Sequence, residues 1–398
     1  MNFRQIFTPG SPPQKHEFLV GRDEEIRRLC SYLSSPGIHP VVVGPRGIGK
    51  TSLVQEVLGT HDLTTQIEAN TVNDFDELAR LICDDLGLTV QHVVSFTEEH
   101  EEGMDAKGKI VVAEGGLSSK RKSIEQIDGM SKSMISPQSF LRLLESSNTL
   151  FFISIDELDD LDKNSDIPIK LAKFAKSVSN QSKRFRHKFI FSGIGRDAQD
   201  LFSGHLSSQR NHPVIYLGRL TKRHFNSFFD RAAAELEMII PQPIRNEIIS
   251  DADGFPYYMH LACFHMFDCF FEQNSQNLHH KHLKLAKDRA FDDAFSHYLS
   301  KYKYTIYRLT DLHKSILWHM VGSTKRYHEY DNMEAALGKQ YGVKGLKQGF
   351  RYLLNNEYIY YRKADKRVSL REPLLRPFLR AKLRVKVEEK QMSLWNES

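Results

Sequence analysis

Eight residues constrain this chain more than any others: Gly44-Pro45-Arg46-Gly47-Ile48-Gly49-Lys50-Thr51. They match the spacing GxxxxGK[ST]. The apolar run Val41-Val42-Val43 precedes them and reads as a short buried strand. Leu53, Val54, Val57 and Leu58 follow at helical spacing. A strand that turns through glycines into a helix aims successive backbone N–H groups at one point. The helix N-terminus adds positive potential there. Such a loop holds phosphate. Lys50 is placed to reach the β- and γ-phosphates of ATP, and the Thr51 hydroxyl to ligate Mg²⁺. Gly44 through Thr51 and the adjoining Ser52 are the expected nucleotide set.

A phosphate loop of this kind needs a carboxylate at the end of a nearby strand to hold the metal ion through water. Leu150-Phe151-Phe152-Ile153-Ser154-Ile155 is a buried-strand pattern, and Asp156-Glu157 follows it directly. Asp156 is therefore the metal candidate and Glu157 the group that orients or deprotonates the attacking water. Asp159 and Asp160 also follow, so acidity alone does not choose between them.

Strand and helix patterns alternate along the first half of the chain. A helix is expected over Asp23–Leu33, strands at Gln66–Asn70, Phe189–Ser192 and Val214–Leu217, and helices over Phe75–Leu86, Ser136–Leu144 and Ile167–Val178. This alternation predicts an α/β fold, a P-loop parallel sheet with helices on both faces. Residues 1–17 hold three prolines and little periodic hydrophobicity, so a lead-in arm is expected. Residues 88–135 break the pattern with an acidic run, then Gly103, Gly108, Gly115 and Gly116, then a basic patch, as an insert or mobile loop would. From Thr221 to about Leu299 the pattern is helical throughout, which predicts a helical lid. Helices near 310–321, 333–340 and 344–356 then lead into an alternating hairpin over Tyr358–Leu370. The expected domains are a core over 1–218, a lid over 219–300, a terminal module over 301–390 and a tail over 391–398.

The net charge of +5 hides an asymmetry. Residues 301–390 carry 21 Lys and Arg against 9 Asp and Glu, while residues 1–300 carry 34 against 40. A basic end on a mildly acidic chain suggests a polyanion partner, most simply double-stranded DNA. No apolar run approaches the ~18 residues that span a bilayer, and Met1–Gly10 lacks the apolar segment of a secretory signal. The four cysteines (Cys30, Cys83, Cys263, Cys269) form no CxxC pair, which argues against a disulfide scaffold or a cysteine-rich zinc site. A cytoplasmic protein that does not engage a membrane is expected.

Around these two motifs, further segments resemble the AAA+ initiator-type ATPases and the STAND signalling ATPases. Phe18-Leu19-Val20-Gly21-Arg22-Asp23-Glu24-Glu25 is similar to the box that precedes the phosphate loop in those families. The resemblance implies that Gly21 and Arg22 lie near the adenine. Ser192-Gly193-Ile194-Gly195 stands where such proteins place sensor 1, and Gly254-Phe255-Pro256 resembles the GxP box that opens a lid helix, so Ser192 and Pro256 join the implied nucleotide set. Arg210 matches the position of an arginine finger supplied from a neighbouring subunit, and Arg196 competes for that role. An oligomer formed on ATP binding is implied. The resemblance spans roughly residues 18–385. Two departures stand out: the helix Pro256-Tyr257-Tyr258-Met259-His260 has no sensor-2 arginine, and Ser192 is shorter than the usual asparagine. Both fit a slow nucleotide-controlled switch better than a fast enzyme.

The same resemblance implies a winged helix at the basic end. In its third helix Lys344, Lys347 and Arg351 fall on one face, apart from the core positions Leu346, Phe350, Leu353 and Leu354. That face suits a major groove, and Arg362, Lys363, Lys366 and Arg367 around the hairpin tip suit phosphates. The alternative is a STAND-like latch, a winged helix that contacts protein only, either the acidic core or a partner protein.

Overall fold

In a computed structural model the described residues are 2–88, 135–158, 161, 166–180, 185–194, 210–297, 299–323, 325, 327–362 and 364–381. The expected insert therefore lies almost wholly outside them. Two compact units are present, and each stands by itself. One comprises Arg22–Gly44 and Lys50–Leu217; the other comprises Met1–Gly21, Pro45–Gly49 and Gly218–Ser398.

The first unit is an α/β layer structure. Its elements are α2 (Asp23–Ser34), β1 (Val41–Val43), α3 (Lys50–Leu58), β2 (Thr64–Glu68), α4 (Phe75–Asp85), α5 (Pro137–Glu145), β3 (Phe152–Asp156), α6 (Ile167–Asn180), β4 (Lys188–Gly193) and β5 (Val214–Tyr216). The five strands pair in parallel in the order β2-β3-β4-β1-β5. Strands β1, β3 and β4 are buried along their full length, as a parallel sheet covered on both faces requires. The strand expected at Gln66–Asn70 begins two residues earlier and ends at Glu68, because Asn70 turns into a short helical turn over Ala69–Thr71. Helices α4, α5 and α6 cover one face through aromatic contacts. Phe75 meets Phe140 and Phe174, and Phe174 meets Phe189 of β4 edge-on at 5.0 Å between ring centroids. Such pairs contribute about 1 kcal/mol each beyond the area they bury. Helix α5 starts where Ser136 accepts a hydrogen bond from the Ser139 amide and Pro137 fills the first turn, as the sequence predicts.

The second unit is mostly helical. It contains α1 (Phe3–Ile6), α7 (Lys222–Leu236), α8 (Gln242–Ala252), α9 (Pro256–Glu272), α10 (His280–Ser296), α11 (Lys303–Ile306), α12 (Asp311–Val321), β6 (His328–Glu329), α13 (Tyr330–Tyr341), α14 (Val343–Asn355), β7 (Ile359–Arg362) and β8 (Arg367–Leu370). Residues 375–381 are helical as well. The N-terminal segment, expected as a lead-in arm, packs into this unit. Phe3, Ile6 and Phe7 are buried, and Phe7 stacks on Phe267 of α9 at 5.1 Å. Two apolar rings and an isoleucine in five residues suffice to fasten it, although they show no extended periodicity.

Helix α12 leads into β6, α13 and α14 follow it, and β7 and β8 then complete an antiparallel sheet of order β6-β8-β7. The two-residue strand β6 is too short to leave a period-2 signal in the sequence. Gly349 lowers intrinsic helix propensity by about 1 kcal/mol, but in α14 it has a packing reason. A Cβ there would come within 3.0 Å of Leu312 and Ile316, so glycine lets α14 approach α12 closely.

Helix α9 buries His260, whose Nδ1 accepts a hydrogen bond from the Thr8 amide at 3.1 Å. Burial depresses its pKa to about 4, well below the ordinary value of 6.5. Protonation is therefore easier in the unfolded chain. The resulting stability is complete above the unfolded pKa and is lost as pH falls toward 4, by at most about 3 kcal/mol. The urea midpoint of the native protein is expected to fall between pH 7 and pH 5, and to fall less in His260→Gln. Equal falls in both proteins would contradict this account.

Candidate phosphate-binding and metal site

The site grows out of the strand order. Strand β4 lies between β3 and β1, with Val42 opposite Ser192 and Ile155 opposite Phe191. That register carries the ends of three strands, Asp156, Ser192 and Gly44, to the same edge of the sheet. The Gly44 amide bonds to the Gly193 carbonyl at 3.2 Å and ties the start of the loop to β4. Lys50 opens α3, and its Nζ donates to the Gly44 carbonyl at 3.1 Å. The lysine thus folds back across the mouth of the loop.

Asp156 is the centre of a polar network at the C-terminal ends of β3 and β4. It is only 2 % exposed. The Thr51 hydroxyl donates to its Oδ2 at 2.7 Å. The Glu157 amide donates to Oδ1 at 2.8 Å, and the Ser192 hydroxyl donates to the same oxygen. A buried carboxylate needs such partners, since an unpaired one is costly to desolvate. The set also fits Mg²⁺, which takes hard oxygen ligands and keeps several waters. Thr51 and Asp156, separated in sequence by 105 residues, would be the two protein groups that hold it, Asp156 through water.

Glu157 adopts a left-handed backbone with φ 55°, an unfavourable conformation for a residue with a side chain. Its carboxylate accepts a hydrogen bond from the Asn70 side-chain amide. Sequence reasoning did not single out Asn70. Its one signal is position, since β2 pairs with β3 and Glu68 stands opposite Asp156. Ser192, expected in the nucleotide set, directs its hydroxyl at Asp156.

The remaining expected residues fall in several places. Pro45, Arg46, Gly47, Ile48 and Gly49 group with the second unit. There Gly47 has φ +72° and its carbonyl accepts from the Tyr257 amide at 3.2 Å. Pro256 occupies the first turn of α9. Arg22 is 3 % exposed and pairs with Glu25 at 3.4 Å; burial lowers its pKa despite that partner. Arg210 is exposed on the turn before β5, and Arg196 lies outside the described residues.

On α14, Lys344, Lys347 and Arg351 are exposed, and none forms an ion pair among the described residues. The hairpin differs. Arg362 closes on Asp365 in two hydrogen bonds and lies over the Tyr327 ring at 4.9 Å. Its pKa is raised chiefly by the Asp365 hydrogen bond. Lys366 pairs with Asp331 at 3.1 Å, and Arg367 lies 3.5 Å from Asp365. Lys363 lies outside the described residues.

Residues 19–176 match the family described as the AAA ATPase domain. Several solved structures share the fold. The Walker-type ATPase of Pyrococcus abyssi aligns with a TM-score of 0.57 and 16 % identity, over 94 % of this chain and 99 % of that one. Cdc6p from Pyrobaculum aerophilum aligns with a TM-score of 0.52 and 15 % identity, over 96 % and 98 %. The Aeropyrum pernix Orc1 protein, solved in complex with DNA, aligns with a TM-score of 0.53 and 14 % identity, over 95 % and 96 %. No curated protein matches the sequence. Identities this low establish a fold, an α/β P-loop sheet flanked by helices. Together with the phosphate loop, the AAA ATPase domain match makes the chain an ATPase. Among the described residues no helix is long and apolar enough to cross a membrane.

Proposed function

We propose that this ATPase is a nucleotide-controlled switch that acts with double-stranded DNA, in replication, transposition or mobile-element and phage-defence work. The observation that carries the nucleotide half is the Thr51–Asp156 hydrogen bond at the strand edge, directly behind a complete phosphate loop. Mg²⁺ held by Thr51 and Asp156 would neutralise phosphate charge. Lys50 exchanges its Gly44 carbonyl for phosphate oxygens and orients the triphosphate. Asp156 keeps the Thr51 hydroxyl aligned. Glu157 leaves Asn70, positions the attacking water and accepts its proton. The exposed Arg210 serves an adjacent protomer in an ATP-dependent oligomer, which mass measurement with and without ATP checks. A particle mass unchanged by ATP would rule that assembly out.

The DNA half rests on the 301–390 charge balance and on the α14 face. The order of α12, α13, α14 and the β6-β8-β7 sheet supports a winged-helix reading of that module. A similar fold was solved with DNA bound. A Lys344→Ala, Lys347→Ala, Arg351→Ala triple variant is expected to bind duplex at least ~10-fold more weakly at low salt, with a salt slope lower by about 3. Unchanged affinity and slope would remove α14 as the contact. One observation favours a second reading, a STAND-like latch that contacts protein: Arg362, Lys366 and Arg367 all have carboxylate partners already. Absence of any salt-dependent duplex binding in the native protein would leave that reading in place. A cytoplasmic location accords with either.

A further inference from the structure

Within the second unit, the segment that follows β8 is fastened at four points. Asp253 lies at the end of α8, three residues before Pro256. Its carboxylate faces three arginines: Arg219 at 2.6 Å, Arg380 at 3.0 Å and Arg376 at 3.4 Å. Arg376 is 2 % exposed, and burial, reinforced by Arg219, lowers its pKa to about 10. It also donates to the carbonyls of Ser323 and Lys325, the latter at 2.7 Å. Arg380 reaches the Ser250 carbonyl at 2.9 Å. Phe378 sets its ring edge-on against Tyr258 of α9 at 5.1 Å.

This fastening has a product at its N-terminal end. Leu374, 1 % exposed, lies against Gly47 of the phosphate loop. A Cβ on Gly47 would come within 2.9 Å of both Leu374 Cδ1 and Tyr257 Cβ. On its other side Gly47 is bonded by the Tyr257 amide. The loop's turning point is thus gripped by a leucine from one element and a backbone donor from another, and Asp253 braces the segment that carries the leucine.

We propose that Leu374 is a positioning residue for the phosphate loop, and that Asp253 acts through Arg376 and Arg380 to keep it there. The strut holds Gly47 in the left-handed turn that points loop amides at phosphate, so less ordering remains for ATP to impose. It also makes the segment after β8 and the loop turn at Gly47 energetically coupled, and such coupling is reciprocal. The proposal rests on the reading of Gly44–Thr51 as the ATP site.

The test is ATP–Mg²⁺ binding to the full chain by titration calorimetry, with steady-state turnover alongside. Leu374→Ala and Asp253→Asn are each expected to raise the ATP Kd and KM about tenfold while kcat is largely kept. Leu374→Met restores binding, and the double variant costs less than the two single effects combined. In the native protein, ATP slows hydrogen exchange at the Leu375 and Arg376 amides, which bond to Glu372 and Pro373 carbonyls at 3.1 Å. Native Kd and KM in both variants, with exchange indifferent to ATP, would overturn the strut. Failure of the native protein to bind ATP would instead overturn the reading beneath it. A variant that loses Tm and kcat together shows a merely structural role and also counts against the proposal.

Discussion

A Lys50→Ala protein is expected to lose ATP turnover by at least about 100- to 1,000-fold and to bind ATP far more weakly. Lys50 is the fixed-position cation of the GxxxxGK[ST] pattern and opens α3, and its Nζ stands over the loop mouth on the Gly44 carbonyl. Its ammonium offers three donors to oxygens whose negative charge grows during transfer. Alanine removes that charge without disturbing α3, because it is the best helix former. The fold is therefore expected to survive, with a Tm close to native. Turnover within a few-fold of native in a well-folded Lys50→Ala protein would mean that the loop does not hold the reacting phosphates.

Glu157→Gln is expected to separate binding from chemistry. The amide keeps the size and one acceptor of the carboxylate, yet takes no proton from water. Turnover should fall about 10²- to 10⁴-fold, with ATP affinity near native. The strained backbone at φ 55° remains, since the substitution changes only the side-chain terminus. Single-turnover kinetics with radiolabelled ATP reads this directly. A loss of affinity equal to the loss of turnover would recast Glu157 as a binding or structural group and pass the base to another residue.

Much of the first unit was legible because its signals are local. The valine strand, the glycine turn and the helix at Leu53–Leu58 are contiguous, and Asp156-Glu157 ends a run of apolar residues. What stayed hidden is what depends on pairing between distant segments. The Asn70–Glu157 contact exists because β2 and β3 are neighbours, although 87 residues separate the two side chains. The Ser192–Asp156 contact likewise follows from β3 and β4 lying side by side. Phe3 and Phe7 carry no period, and the apolar surfaces of α9 and α7 explain their burial. The Asp253 cluster joins residues 34, 123 and 127 positions away, and no spacing rule links them. Charge counting, in turn, sums the basic end but does not reveal that Arg362, Lys366 and Arg367 already have carboxylate partners.

The central claim is that one chain couples ATP on its phosphate loop to duplex DNA on its basic module. The measurement that tests it most directly is the steady-state rate of ATP hydrolysis with and without duplex DNA at low salt. The account predicts turnover that duplex stimulates, with the stimulation fading as salt rises and missing from the α14 triple variant. ATP hydrolysis identical with and without duplex, across the salt range, would contradict it and leave the protein-contacting latch as the role of the C-terminal module.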